Sequence, residues 1–432
     1  DTSLFTPNVL YRNNGLIAAF VSNLKFMDVE KPDGYSVSAA EKLAETVETE
    51  TENQTVTKAT KESPNIFVIM NEAFSDLAVY GDFETSEDYM PFIHSLKESE
   101  GAEIGELYVS VKGGNTANTE FEFLTGNSMG FLPAGSVPYQ QYIKQEQPSL
   151  ASHLGALGYV TSALHPYRAA GWCRDKVYPW LGFENTYFQS DFENPTKLRG
   201  YVDDESAFRK LTELYKERKG ENPLFVFEVT MQNHGGYSKE YADLFPDIRL
   251  NGYEGKETTN TEATEKYLTL IQKTDAAFKE LTEYFASQEE PTVILMFGDH
   301  LPAVEEEFLN ATLPENDIFA LYTSPFILWA NYDLGLDKSE TEVTLSSNYL
   351  FSYLLETADL PMTGLQKMLR TLYAEYPVIS VAGVLDRDGN YINAAAAADL
   401  PLIRDYSYMQ YNYLVKHAKT ASEFYQFHQY FS

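Results

Sequence analysis

The sequence predicts an α/β protein built on a doubly wound, mainly parallel sheet, with a small antiparallel subdomain at its C-terminal end. Three observations predict it. Asn65-Ile-Phe-Val-Ile-Met70, Pro223-Leu-Phe-Val-Phe-Glu-Val229 and Thr292-Val-Ile-Leu-Met-Phe297 are apolar runs of strand length, the pattern of strands buried on both faces. Stretches with helical spacing separate them, and that alternation implies parallel strands joined by crossover helices. Near the end, Val378–Val384 and Tyr391–Ala394 flank Asp386-Arg-Asp-Gly-Asn390, whose Asp-Gly is a hairpin signal.

The 432 residues allow one large domain plus a smaller appended unit. A hydrophobic content of 44% and an aromatic content of 14% argue for a globular protein. There are 32 Lys+Arg against 64 Asp+Glu, a formal charge of -32, which argues against nucleic-acid binding through a basic surface. The same charge repels an anionic membrane or polymer, so an anionic substrate needs a locally positive site, such as a metal with Arg and His. Cys173 is the single cysteine, so no intramolecular disulfide and no CxxC site is possible. No apolar run reaches the ~18 residues that span a bilayer. With no initiator Met and no signal peptide, Asp1 reads as a processed start or as the boundary of an excised piece. A monomer is the default expectation.

In chain order, Asn13–Lys25 is a short amphipathic stretch and Pro32-Asp-Gly34 a turn. Ser38-Ala-Ala-Glu41 reads as a capping box that opens a helix to about Val47. Glu48–Ser63 is Thr/Glu-rich and reads as a linker. Residues 1–63 are thus expected to be an N-terminal segment and linker, 64–370 the catalytic domain and 371–432 the small C-terminal α+β subdomain. Within the domain, strands are expected at Asn65–Met70, Glu103–Val111, Tyr159–Leu164, Pro223–Val229, Thr292–Phe297 and Pro325–Ala330. Helices are expected at Phe92–Glu98, from Asn118 on, and at Ser149–Leu157, Lys176–Leu181, Asp203–Tyr215, Thr261–Phe285 and Ser346–Glu356. An aromatic-rich helix, Ala398–Lys416, closes the chain.

Ligands of open α/β sheets bind beyond the carboxyl ends of the strands. Glu72, Thr116, His165, His234, Asp299 and His300 all follow such ends. Lys112-Gly-Gly-Asn-Thr116 is a Gly-rich strand-to-helix turn, where backbone approaches a ligand closely and a helix start favours an anion. Thr116 is therefore placed as a nucleophile facing a phosphate- or sulfate-like group. Asp299-His300 after an apolar strand reads as a metal-ligand pair. With Glu72 it makes an O/O/N set to which the Thr116 oxygen adds a fourth donor. Such sets suit Mn²⁺ or Mg²⁺, with Zn²⁺ also possible. The metal lowers the hydroxyl pKa and neutralises the anion under attack. Each residue alone has a plainer reading: Trp172 as core, Arg174 as a partner for Asp175 or another carboxylate. His94, His153, His417 and His428 read as structural.

Taken together, Asn-Glu72, Gly-Asn-Thr116-Ala-Asn-Thr-Glu-Phe, His165…Gly-Trp172-Cys-Arg174-Asp, Gln-Asn-His234 and Gly-Asp299-His300 resemble the extracellular catalytic domain of lipoteichoic acid synthases, in the sulfatase and alkaline phosphatase superfamily. The similarity runs from about Asn13 to about Leu301. It implies a sheet of the sulfatase type and a glycerophosphotransferase. Glu72, Thr116, Asp299 and His300 match Mn²⁺ ligands, with Thr116 also the nucleophile. His165, Trp172, Arg174 and His234 match residues that hold the glycerophosphate group. The implied donor is phosphatidylglycerol and the implied acceptor a polyglycerophosphate chain. The implied location is the outer face of the bacterial plasma membrane, through an upstream anchor not in this chain. Arg168 has no counterpart in the family pattern.

Two other classes compete. A formylglycine sulfatase needs Cys/Ser-x-Pro-x-Arg, which the residues around Thr116 do not provide, and a two-metal phosphodiesterase needs a further Asp/His set. A non-catalytic binding module would keep the fold and lose part of the ligand set.

Overall fold

The computed structural model describes residues 29–49, 58–60, 62–252, 261–305, 308–309, 312, 319–336, 342–418 and 422–425. Asn13–Lys25, most of the Glu48–Ser63 linker and His428 lie outside them. Eight strands form the main sheet: β1 (Asn65–Asn71), β2 (Ala102–Tyr108), β3 (Val160–His165), β4 (Asn185–Phe188), β5 (Leu224–Val229), β6 (Thr292–Gly298), β7 (Thr323–Ala330) and β8 (Thr344–Ser346). Their spatial order is β8-β2-β7-β6-β1-β5-β3-β4. All pairings are parallel except β6–β7 and β7–β2, so β7 alone runs against the rest. The carboxyl ends of the other seven therefore share one edge.

The alternating residues of β1 explain why its whole length is apolar. Ile66, Val68 and Met70 join one core cluster, with Phe121, Leu350 and Tyr406. Phe67 and Ile69 join a second on the opposite face, with Tyr267, Phe278 and Phe285 of the Glu262–Ala286 helix. The C-terminal residues supply a three-stranded antiparallel sheet, Val378–Ser380, Gly383–Leu385 and Tyr391–Ile392.

Some boundaries differ from expectation. The N-terminal helix is Val37–Thr49, and Ser36 caps it through the Ala39 N–H (3.1 Å), so Ser38 is not the cap. The strand expected to reach Val111 ends at Tyr108, and the next helix begins at Thr116 itself. The Val378–Val384 stretch folds back on itself at Val381-Ala382 instead of forming one strand. The expected closing helix starts at Pro401 and not at Ala398, running to Gln410 and on through a π-turn to Val415, and a separate short helix, Ala394–Ala398, precedes it. β4 and β8 were not expected: four and three residues are too short for a period to show.

Candidate active site

Strand register assembles the centre. Asn71 pairs with Gly298 across β1 and β6, so the residues that follow, Glu72 and Asp299, emerge side by side. The chain turns at once after β1: Ala73 is left-handed (φ 50°), its N–H donates to Asp299 Oδ1 (2.7 Å), and its carbonyl accepts from Tyr267 (2.7 Å). Gly298 has no room for a side chain, since a Cβ there would lie 1.9 Å from the Phe74 carbonyl oxygen. On β2's side, Gly113 (φ 62°), Gly114 (φ 149°) and Asn115 (φ 64°) make a left-handed approach to the Thr116–Thr125 helix. Thr116 is its first residue. The Thr119 hydroxyl pins this helix to the Asp299 carbonyl (2.8 Å).

Ligand atoms of Glu72, Asp299 and His300 lie within 4.8 Å of one another, the one such cluster among the described residues. All three are buried, as is Thr116, whose hydroxyl donates to Glu72 Oε2 (3.2 Å). His300 Nδ1 sits 2.9 Å from the Leu301 carbonyl. With its proton there, Nε2 presents a lone pair to Asp299 Oδ2 (3.2 Å) and Glu72 Oε1 (3.5 Å). Neither Nε2 nor Asp299 Oδ2 makes a hydrogen bond. Burial raises the Glu72 pKa, with His300 and the Thr116 hydroxyl opposing. Burial and the Glu72 charge push Asp299 up to about 6. At His300, burial is outweighed by Asp299 and Glu72, and the imidazole pKa rises. Two crowded carboxylates and an orphaned imidazole lone pair are the donor set of a divalent cation, and these residues fit one.

Beside this centre, Arg174 is fully buried. Its Nε and Nη2 engage the Glu120 carboxylate, which also accepts from Tyr178 (2.9 Å). Its Nη1 lies 3.0 Å from His165 Nε2, whose Nδ1 meets the Val229 carbonyl (2.9 Å). Both His165 nitrogens are thus engaged, and burial with the neighbouring guanidinium holds the ring well below its usual pKa. The carboxylate that pairs with Arg174 is thus Glu120, not the adjacent Asp175. Trp172 is buried within the core, and it and Cys173 are consecutively left-handed (φ 54° and 60°). His234 is exposed, with Nδ1 3.3 Å from the Tyr201 hydroxyl and the two rings 5.2 Å apart. Arg168 is exposed over the Tyr167 ring (5.7 Å).

Glu120, Tyr178, Arg199 and Tyr201 were not singled out from the sequence. Glu120 follows Thr116 by one helical turn, and that spacing was the available signal. Two further buried carboxyls, Asp204 and Glu122, brace the scaffold. Asp204 accepts from Asn71 (2.8 Å) and Thr274 (2.7 Å), and burial pushes it to about 6.

A model of the Sulfatase family matches residues 64–360, and the chain belongs to that family. It is 29% identical over 433 residues to a putative cyclic beta-1,2-glucan modification protein of Rhizobium meliloti (strain 1021). That match covers 97% of this chain and 64% of the relative, so the chain spans less than two thirds of that protein. In structure it is similar to the Streptococcus pyogenes phosphoglycerol transferase GacH in complex with sn-glycerol-1-phosphate, with a TM-score of 0.71, 20% identity and 93% and 100% of the two chains covered. It is also similar to the lipoteichoic acid synthase LtaP from Listeria monocytogenes (TM-score 0.59, 16% identity, 89% and 100% covered). These likenesses establish the fold expected from the sequence. No helix among the described residues is long and apolar enough to cross a membrane.

Proposed function

We propose that the protein is a metal-dependent glycerophosphotransferase working through a Thr116 covalent intermediate. The observation that carries this reading is the Thr116 hydroxyl, at a helix start, 3.2 Å from the carboxylate of a buried Glu72–Asp299–His300 cluster. A divalent cation bound there, with Mn²⁺ preferred and Mg²⁺ or Zn²⁺ possible, lowers the hydroxyl pKa and neutralises phosphate charge. The Thr116 oxygen forms a bond to the phosphorus of a phosphatidylglycerol-type donor. The bond from phosphorus to the diacylglycerol oxygen breaks, and that alcohol leaves with a proton. An acceptor hydroxyl then attacks the phosphothreonine, loses its own proton and regenerates Thr116. Arg174, held by Glu120 and His165, binds the phosphate end of the headgroup with Trp172 and His234. Residues 64–370 are the catalytic part, and an anchor upstream of this chain holds it at the outer face of the plasma membrane.

The resemblance to lipoteichoic acid synthases favours a polyglycerophosphate acceptor. A second reading, a hydroxyl of a glycan, is favoured by the relative named for modification of a cyclic glucan. Water in the same place would make the enzyme a hydrolase.

The test is elemental analysis of Mn²⁺-supplemented protein together with mass spectrometry of the Thr116 peptide after incubation with phosphatidylglycerol. The expected result is one bound ion and a glycerophosphate adduct, both adduct and turnover being absent in Thr116→Ala. Metal without an adduct moves the assignment to another phosphodiester donor or to a hydrolase. Absence of metal leaves the binding module.

A further inference from the structure

Arg199 is a buried arginine near the centre that the reading above leaves without a task. It occupies the turn between two short antiparallel strands, Lys197–Leu198 and Tyr201–Val202. Both turn residues are left-handed, Arg199 at φ 55° and Gly200 at φ 83°. Glycine, Asn and Asp take such positions easily, whereas a long side chain is held there only by its surroundings. The backbone N–H of Arg199 donates to Asp243 Oδ2 (2.8 Å), and the side chain is 8% exposed. Its Nη2 donates to two carbonyls, Gln232 (2.6 Å) and His234 (2.8 Å). Nε and Nη1 are buried and make no hydrogen bond. The rings of Tyr201, Tyr237 and Tyr241 surround the guanidinium at 5.4–5.7 Å. A buried cation is normally matched by a carboxylate. Here aromatic faces and two carbonyls take that place, and both carbonyls belong to the segment that delivers His234.

We propose that Arg199 and Tyr201 are positioning residues that fix His234 at the substrate site, Arg199 through the backbone of the 232–234 turn and Tyr201 through the imidazole. The planar guanidinium reaches two carbonyls from one nitrogen and holds the turn from outside the strand ladder. Tyr201, two residues later, lies against the His234 ring, tilted by 41°, and its hydroxyl meets Nδ1. One hairpin thus holds an otherwise exposed histidine from both sides. With Nδ1 engaged, Nε2 is the nitrogen left for the ligand. The backbone hydrogen bond from the His234 N–H to the Met231 carbonyl (3.1 Å) and that from the Tyr237 hydroxyl to the Asn233 carbonyl complete a turn with little freedom. Lysine, a compact and strongly hydrated point charge, lacks the planar guanidinium that the three rings enclose and does not reproduce this hold.

The inference rests on the headgroup reading of His234. Its test is calorimetric titration of Mn²⁺-supplemented protein with sn-glycerol 1-phosphate and, separately, with inorganic phosphate. The proteins are wild type, Arg199→Lys, Tyr201→Phe, His234→Ala and the Arg199→Lys/His234→Ala double variant. Loss of one charge-assisted contact weakens binding by about tenfold, and that loss is expected in both Arg199→Lys and His234→Ala. The double variant is expected to be no weaker than His234→Ala alone, because residues that act through one another are not additive. Tyr201→Phe keeps the ring and loses only the hydroxyl, so it carries the test if Arg199→Lys folds poorly. It is expected to weaken binding about threefold, with no added loss on top of His234→Ala. Additive losses, or single variants that bind as wild type does, overturn the inference. If wild type takes phosphate but not glycerol phosphate, the headgroup reading fails, and the comparison among variants is decided on phosphate. Binding of neither probe overturns both.

Discussion

Glu120 decides at the scale of a single residue whether the Arg174 side of the centre, proposed above to bind phosphate, can form. It lies one turn beyond Thr116 on the same helix and is fully buried, with Arg174 and Tyr178 on its oxygens. Arg174 in turn faces His165. Bringing two charges out of water is costly, and the pair is tolerable only because each partner is fully engaged. Removing one half therefore costs more than the pair contributes. Glu120→Ala leaves a guanidinium buried against a neutral imidazole, and the expected loss is about 3–5 kcal/mol. Urea denaturation checks this: the midpoint falls and the slope stays constant. A midpoint within error of wild type would mean that water or another group takes the place of Glu120. Glu120 was hard to see in the sequence because a helical carboxylate is usually a solvated one. Its partner lies 54 residues away, and nothing local marks it as buried.

At the scale of elements, the Thr116–Thr125 helix is buried on all sides, which is unusual for a helix carrying two glutamates. The second, Glu122, ties it to the rest of the molecule. It accepts from Ser110 (2.8 Å), from the Met129 N–H (2.7 Å) and from Ser347 on the neighbouring Ser347–Thr357 helix. Burial disfavours its charge more than these donors favour it, and its pKa is pushed up to about 7 from an ordinary 4.5. Below pH 4.5 the carboxyl is protonated in both folded and unfolded chains, and its contribution to stability is complete. As pH rises from 4.5 to 7 the unfolded chain ionises first, and stability falls by on the order of 3 kcal/mol. Above pH 7 this group adds no further slope. Asp204 acts in the same sense, so the diagnostic quantity is a difference. Glu122→Gln is expected to lose about that much less stability than wild type between pH 5 and pH 8, measured as urea midpoints at each pH. Equal slopes in the two proteins would refute the burial account. The strand ends that carry Glu72, Asp299 and His300 were legible because strands buried on both faces write themselves as apolar runs, and polar residues at their carboxyl ends stand out. The hairpin of Arg199 was not legible. Its strands are two residues each, and the partners of the guanidinium are backbone carbonyls and ring faces, which leave no pattern in a sequence.

At the scale of the whole molecule, the -32 charge and the buried carboxylate cluster pose the same problem for the proposed substrate, namely how an anion would reach this centre. Screening shortens the reach of the surface charge to about 10 Å at 0.1 M salt, while the fields inside the site are left largely unscreened. The C-terminal residues decide whether that site is held together. Tyr406 donates to the carbonyl of Gly126, the residue that ends the Thr116–Thr125 helix (2.6 Å), and Gln410 clasps both the N–H and the carbonyl of Ser128 (2.8 and 2.9 Å). Ile403, Tyr406, Met409 and Leu414 share one core cluster with Phe121, Leu350, Leu369 and Leu372. At the other end of the chain, Tyr35 donates to Asn412 (2.7 Å), so the described N-terminal residues close over the C-terminal ones. Truncation after Glu375 would thus bare a face of the 347–375 helices and leave the 126–128 turn without its partners. Exposed apolar surface of that kind drives association. The expected outcome is an aggregated truncated product, whereas the full chain gives a single cooperative melt that moves upward with added Mn²⁺ through mass action on the folded state. A soluble truncated protein with the same melting temperature and the same metal response would instead make residues 376–432 an appendage, and would confine the determinants of the site to the sheet and its carboxyl edge.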